Sequence, residues 1–271
     1  MKKTLLLAVL LSVALVITSC GGSSTSDSKK DLSWEKIKEK GELIIGLDDN
    51  YPPIGFRDEA GNLVGCDIDL AVAACEYLGV KAVFKPLEWE GVLLSIKSGD
   101  VDIVWNGMGI NAQREKEIAF SRPYMWMPMI VFVPAGSDVK NKEDLKGKII
   151  GVQMNSSADM LLEEDEIYPD IKESRKYAQY PEAFMDMKNG RIDAVMTDTI
   201  NGYYIINLEK MNNAFEAREN ILFENTPIGV GVTQENNALR EKINEALEAM
   251  ADAGTTAEIS VKWFGVEGVL I

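Results

Sequence analysis

The chain has 271 residues, 46% hydrophobic and 26% charged, with 22 glycines and 9 prolines. Such a composition supplies apolar material for one or two sizeable cores and excludes global disorder and collagen-like structure. With 28 Lys and Arg against 43 Asp and Glu the formal charge is -15, so a nucleic-acid backbone would be repelled, and the lack of any histidine removes His-activated nucleophiles, His-ligated metals and imidazole bases.

At the N-terminus, Lys2 and Lys3 precede an apolar run over 5–17 that is short for a membrane span and closes on small residues. This predicts a cleaved signal peptide over 1–19. Ile17-Thr18-Ser19-Cys20 resembles a bacterial lipobox, which implies acylation of Cys20; the alternative is an ordinary signal with a chance cysteine. The lipidated Cys and a Gly/Ser-rich tether then occupy 20–31, and no second long apolar run follows, so the body reads as a soluble domain held outside a membrane by lipid. Cys66 and Cys75 would lie about 12 Å apart along a helix over 67–78, beyond the roughly 7 Å reach of a disulfide, and read as small buried residues.

Helices are predicted over 67–78, 90–97, 112–119, 158–165, 181–188 and 235–253, and strands over 82–86 and 129–134. In the last helix Leu239, Ile243, Ala246, Leu247 and Met250 share one face. Two fragments recur in the same order. Leu43-Ile44-Ile45-Gly46-Leu47-Asp48 resembles Lys148-Ile149-Ile150-Gly151-Val152-Gln153, and the run from Lys97-Ser98-Gly99 to Asp102-Ile103-Val104 resembles that from Lys188-Asn189-Gly190 to Asp193-Ala194-Val195. The duplication predicts an α/β protein of two related lobes, each with a mostly parallel sheet. Lobe 1 is expected over 32–128 plus 226–271 and lobe 2 over 129–225, with crossings at 129–134 and 222–228 that together make a hinge.

Ligands of open α/β sheets sit beyond the carboxyl ends of the strands. The repeated units put Asp48 and Asn106 at such ends in lobe 1, and Gln153 and Asp198 in lobe 2. Asn111 reads as the N-cap of helix 112–119, which sets Arg114 in the first turn, where the helix dipole disfavours a cation. Either an anion binds nearby or Arg114 is a solvated residue paired with Glu115 or Glu117. Asn155-Ser156-Ser157 is either a plain cap or a cap that also offers hydroxyls and free N–H groups to an anion. Asp198 either caps a turn or accepts from an ammonium. Together Arg114, Ser157 and Asp198 describe a site for a zwitterion. Among the aromatics Tyr51, Phe56 and Trp89, Tyr51 and Trp89 are expected to flank a ligand side chain.

Asp48-Asp49-Asn50-Tyr51-Pro52-Pro53, Gly65-Cys66-Asp67-Ile68-Asp69-Leu70-Ala71, Trp105-Asn106-Gly107-Met108, Arg114 with Phe120-Ser121-Arg122-Pro123-Tyr124, Leu145-Lys146-Gly147-Lys148 and Gly190-Arg191-Ile192-Asp193-Ala194 with Asp198 follow in this order. The pattern, over roughly 37–265, resembles the family 3 solute-binding proteins of polar amino acid ABC transporters. The resemblance implies a type II periplasmic-binding-protein fold that closes on one amino acid and delivers it to a membrane permease, without cofactor or metal, as a monomer. Arg114 and Ser157 (with Ser156) would hold the α-carboxylate, Asp198 the α-ammonium, Tyr51 would stack on the side chain and Asp48 would read its tip. Asn106 and Gly107 would offer backbone groups. The family usually carries Ser or Thr at the position of Gly109, Thr at Asn111 and Phe at Cys66, so one hydroxyl of the expected ligand shell is missing.

The leading expectation is a non-catalytic lipoprotein, with Asp48 and the acidic surface mildly favouring a cationic or polar side chain and a cystine-like or broad range left open. The alternatives are a dehydratase-like enzyme on the same scaffold, for which Glu88 is the extra acidic candidate, and an extracellular sensor lobe.

Overall fold

The computed structural model describes residues 30–208 and 213–271; the expectations for the signal peptide and Cys20 lie outside them. Helix α1 (Ser33–Lys40) leads into β1 (Glu42–Leu47). A small ribbon of β2 (Asn50–Tyr51), β3 (Gly55–Arg57) and β4 (Leu63–Val64) follows, then α2 (Cys66–Leu78), β5 (Lys81–Pro86), α3 (Val92–Lys97), β6 (Ile103–Val104) and β7 (Ala119–Phe120). The long strand β8 (Met125–Pro134) carries the chain to β9 (Ile149–Gln153), α4 (Ser157–Glu164), β10 (Glu173–Tyr177), α5 (Tyr180–Lys188), β11 (Ala194–Asp198), α6 (Thr199–Leu208), β12 (Phe215–Arg218) and β13 (Glu224–Ile228). It returns through β14 (Gly231–Val232), α7 (Asn237–Asp252) and α8 (Thr255–Phe264).

Two sheets result, β5-β1-β6-β14-β7 and β10-β9-β11-β8-β12, with β13 beside β8. In the first, β1 runs parallel to β5 and β6; in the second, β9 runs parallel to β10 and β11, and the remaining strands are antiparallel. Each parallel core therefore has the same order, second strand, first strand, third strand. The register repeats as well: Gly46 faces Val104, and Gly151 faces Val195. An aspartate ties the strands in both lobes, Asp102 Oδ2 accepting from Ile44 N and Asp193 Oδ2 from Ile149 N, each at 2.7 Å. The two glycines allow close packing: a Cβ at Gly46 would lie 2.8 Å from Leu87 Cδ1 and 3.2 Å from Val101, and one at Gly151 2.7 Å from Ile192, Val101 and Ile192 being the residues that precede those aspartates.

The predicted helices at 67–78, 158–165, 181–188 and 235–253 correspond to α2, α4, α5 and α7, and 90–97 is a 3-10 turn (Trp89–Gly91) running into α3. The five apolar residues singled out on α7 are all buried. Cys66 and Cys75 are buried free thiols in α2. Helix 112–119 is corrected: one 3-10 turn, Arg114–Lys116, precedes β7. Here sheet pairing outcompetes helix propensity, because Ala119 and Phe120 pair with Val232 and Gly231 while Ile118 is buried. Strand β8 begins at Met125 rather than Met129, and its first residues pair with β13, Met125 opposite Ile228 and Met129 opposite Glu224. The sequence reading also passed over α8, which starts after Gly254 turns the chain through the left-handed region at φ 80°. No helix of the described residues is long and apolar enough to cross a membrane.

Candidate ligand-binding cleft

The carboxyl ends of the two parallel cores meet at a small, partly open cavity. Asp48, Tyr51, Trp89, Asn106 and Gly107 line it from the first lobe, and Gln153, Ser156, Ser157, Ala158 and Tyr180 from the second, with Met129 of β8 between them. Gly109, Arg114 and Asp198 are also brought to this region, but behind lining residues rather than on the cavity wall.

Arg114 is 1% exposed. Its Nη1 donates to the Gly109 carbonyl at 2.9 Å and to Ser157 Oγ at 3.2 Å, and its Nη2 donates to the Asn155 carbonyl at 2.8 Å. The guanidinium carbon lies 5.7 Å from the centre of a Trp89 ring. No carboxylate of the described residues faces it, and burial alone pulls its pKa down to about 10. The surface pairing with Glu115 or Glu117 is thereby excluded. Asn111 Oδ1 does accept from Arg114 N at 2.9 Å, as an N-cap would, but a single 3-10 turn has no sizeable dipole to oppose. What marks Arg114 is burial without a counterion.

Asp198 ends β11, also at 1% exposure. Its Oδ1 accepts from Asn201 N at 2.8 Å and so caps α6, while Oδ2 accepts from the Tyr51 hydroxyl across the cleft. Burial raises its pKa, and the hydrogen bonds from Tyr51 and the α6 backbone oppose the rise. The capping and ligand readings thus use different oxygens of one carboxylate.

Asp48 and Gln153 occupy equivalent places in the two repeats and meet each other. Gln153 Nε2 donates to Asp48 Oδ2 at 2.8 Å and to the Ala178 carbonyl at 3.0 Å, and Asn50 N donates to Asp48 Oδ1 at 2.8 Å. Burial pushes the Asp48 pKa up to about 6, and Asp49 and Glu88 add to the rise. Asn106 Oδ1 accepts from Asp48 N at 3.1 Å. Beneath the next residue, Asp67 Oδ2 accepts from Gly107 N and from the Tyr124 hydroxyl, both at 2.6 Å, and burial raises its pKa to about 7. Gly107 needs to be glycine twice over, with φ at 60° and a would-be Cβ 2.9 Å from the Tyr51 ring.

Three aromatic rings frame the cavity. Tyr51 and Tyr180 lie 6.1 Å apart between centroids, tilted by 33°, and the Tyr180 hydroxyl donates to Ser156 Oγ at 3.3 Å. Ser156 Oγ in turn accepts from Asp159 N at 3.1 Å, so it is a working cap of α4. Phe56 is outside, packed against Tyr204 and Trp263. Tyr180, Met129 and Ala158 are lining residues that sequence reasoning missed. A signal for Tyr180 existed: it follows β10 and opens α5 as Trp89 follows β5 and precedes α3, so the repeat maps one aromatic onto the other.

Two sheets with matching parallel cores, facing each other across a polar cleft and joined by paired strands, define a two-lobed binding-protein fold rather than a barrel or a sandwich. Residues 43–266 match the model for bacterial extracellular solute-binding proteins, family 3, and the chain belongs to that family. It is 32% identical over 259 residues to the L-cystine-binding protein TcyJ of Escherichia coli (strain K12), covering 95% of this chain and 94% of that protein. The ABC transporter arginine-binding protein 1 of the same strain is 33% identical over 224 residues, covering 82% and 90%. Among solved structures, an ABC uptake transporter substrate binding protein from Streptococcus pneumoniae with bound histidine superposes with a TM-score of 0.84 at 31% identity, covering 88% of this chain and 98% of that one. These named relatives are binding proteins, not enzymes.

Proposed function

We propose that the chain binds one free amino acid between lobe 1 (32–128 plus 226–271) and lobe 2 (129–225) and delivers it to an ABC transporter permease. The observation that carries this reading is the separation of buried charges: among the described residues, Arg114 has no carboxylate at one side of the cleft and Asp198 no cation at the other. A zwitterion supplies both missing partners at once. Its carboxylate would take the Arg114 guanidinium with the Ser157 hydroxyl, and its ammonium would displace the Tyr51 hydroxyl from Asp198. Asn106, Gly107, Gly109 and Ser156 would shape the surrounding shell. The side chain would lie among Tyr51, Trp89 and Tyr180 and end at Asp48 and Gln153.

Asp48 favours a cationic side chain such as that of arginine, lysine or ornithine, because a buried carboxylate without a cation gains most from one. Cystine is the second candidate, since its far end carries another ammonium and one of the relatives binds L-cystine. Lobe closure around the ligand would present the closed form to the permease. The domain would act as a monomer on the outer face of the membrane, tethered through 20–31 by an acylated Cys20 after removal of 1–19.

A thermal-shift screen of the soluble domain against the common amino acids, ornithine and cystine tests the ligand reading, because a ligand at 100 times its Kd stabilises by about 2.7 kcal/mol. A shift with cationic amino acids or cystine is expected. No shift with any of them would sink the proposal. Radiolabelled palmitate incorporation in a bacterial host, lost in Cys20→Ala, tests the anchor.

A further inference from the structure

Most side-chain hydrogen bonds that cross between the lobes engage residues to which the proposed function gives a ligand contact: Tyr51 with Asp198, Gln153 with Asp48, and Arg114 with Ser157 and the Asn155 carbonyl. A ligand would rearrange these as it takes its place. Two more are exposed or weak. Asn155 Nδ2 reaches the Glu90 carbonyl at 3.3 Å in an exposed position, and Asn111 Nδ2 has only the Met160 sulfur at 3.5 Å. Asn201 differs from all of them. Its Nδ2 donates to the Pro52 carbonyl at 2.8 Å, both residues are buried, and neither lines the cleft cavity.

The rest of Asn201 is tied down within its own lobe. It stands in the first turn of α6, where its backbone N–H donates to Asp198 Oδ1 at 2.8 Å. Its Oδ1 shares the Thr197 hydroxyl with Asp198, at 3.4 Å from each carboxamide or carboxylate oxygen, which leaves the NH2 end for Pro52. A carbonyl only accepts, so the partner across the lobes fixes the orientation of the amide. The segment Tyr51-Pro52 of lobe 1 is thus fastened twice to one turn of lobe 2: once through the Asp198 oxygen that a ligand ammonium would take, and once through a bond that lies off the cavity.

We propose that Asn201 is a closure latch, a positioning residue whose side-chain amide holds the two lobes together without touching the ligand. With the lobes apart, water serves the amide and the carbonyl; with the lobes together, each is the buried partner of the other, so losing the amide leaves the Pro52 carbonyl unpaired only in the closed form. The latch is therefore indifferent to the ligand's side chain. It adds one common factor to the affinity for every amino acid that the cleft accepts, and it acts on release, because opening must break it. This inference rests on the amino acid-binding reading above.

The test compares wild type with Asn201→Leu, which keeps the bulk without the donor, and Asn201→Ala. Both variants retain the backbone bond to Asp198. Each protein is titrated calorimetrically with L-arginine, L-lysine, L-histidine, L-glutamine and L-cystine, dissociation is followed by stopped-flow tryptophan fluorescence, and ligand-free melting temperatures are recorded. Both variants should bind every amino acid that wild type binds roughly tenfold more weakly, with the order of ligands unchanged and most of the loss in the dissociation rate. Ligand-free melting temperatures should stay near that of wild type. Unchanged affinity and dissociation overturn the inference. So does a loss confined to some ligands or a changed order among them, which would place Asn201 in contact with the ligand. A ligand-free melting temperature lowered in both variants marks a bond that serves the fold whether the lobes are open or closed, and overturns it as well. A wild type that binds none of the five overturns the amino acid reading and this inference with it, whereas binding wild type beside unaltered variants overturns the latch alone.

Discussion

Arg114 and Asp198 are equally buried, yet the protein satisfies them differently. The cation is held by neutral oxygens, two carbonyls and a serine hydroxyl, while the anion is held by a backbone N–H, a tyrosine hydroxyl from the other lobe and, more weakly, the Thr197 hydroxyl. Each has enough hydrogen bonds to be tolerated in the interior and, among the described residues, no opposite charge to neutralise it. Neither lobe has solved the electrostatic problem by placing a salt bridge in the cleft. On the proposed reading, an unfinished pair is built with stand-in dipoles that a ligand's full charges would replace.

The largest effect should come from the cation. Arg114→Met is expected to weaken amino acid binding on the order of 100- to 1000-fold, since a ligand carboxylate would be buried unpaired. Ligand-free stability should change by no more than about 1 kcal/mol, because the change also removes an unpaired buried charge. Calorimetric titration and denaturant unfolding measure the two quantities separately. A large stability loss would mean that Arg114 is structural cement, and the comparison would fail.

Asp198→Asn should follow, with about 100-fold weaker binding and little loss of stability, because asparagine caps a helix about as well as aspartate. Asp198→Ala should weaken binding similarly and cost about 1 kcal/mol more in stability, through loss of the α6 cap. Equal stability of the two variants would separate Asp198 from the cap that the structure gives it.

Asp48 extends the comparison to pH. Its folded pKa of about 6 lies above the ordinary 3.8, so the ligand-free protein binds more protons than the unfolded chain between those values and gains stability as pH falls through that window. Asp67, raised to about 7, contributes with the same sign. Affinity for L-arginine should run the other way, falling by up to roughly tenfold per pH unit below about 6, because a cationic side chain needs Asp48 ionised. Asp48→Asn should flatten the affinity profile. A profile that is already flat in wild type would remove the cationic side chain from the ligand.

Much of the frame was legible from repetition. The fragments ending in Asp48 and Gln153 resemble each other because both are the first strand of a parallel core, and Asp102 and Asp193 recur because each ties the corresponding pair of strands in its own sheet. Tyr180 was missed because the repeat preserves an aromatic at that place without preserving which one. The helix over 112–119 failed because pairing of Ala119 and Phe120 is decided by β14, more than 100 residues away in the chain. The helix dipole that the sequence sets against Arg114 does not exist in a single 3-10 turn; burial without a counterion among the described residues is a tertiary property that no local window contains.

The smallest expected effect carries a sign. In Tyr51→Phe the hydroxyl that holds Asp198 across the cleft is gone, while the ring remains beside Tyr180. If that hydroxyl stands in for a ligand ammonium, its removal leaves Asp198 worse satisfied in the ligand-free protein, at a cost of about 1 kcal/mol, and the incoming ammonium no longer has a competitor. Affinity should then tighten a fewfold even as the ligand-free melting temperature drops. A hydroxyl that instead contacts the bound ligand would make the same variant bind more weakly. Titration of Tyr51→Phe thus decides whether the Asp198 side of the cleft is completed by the protein or, as proposed for the Arg114 side, by what it binds.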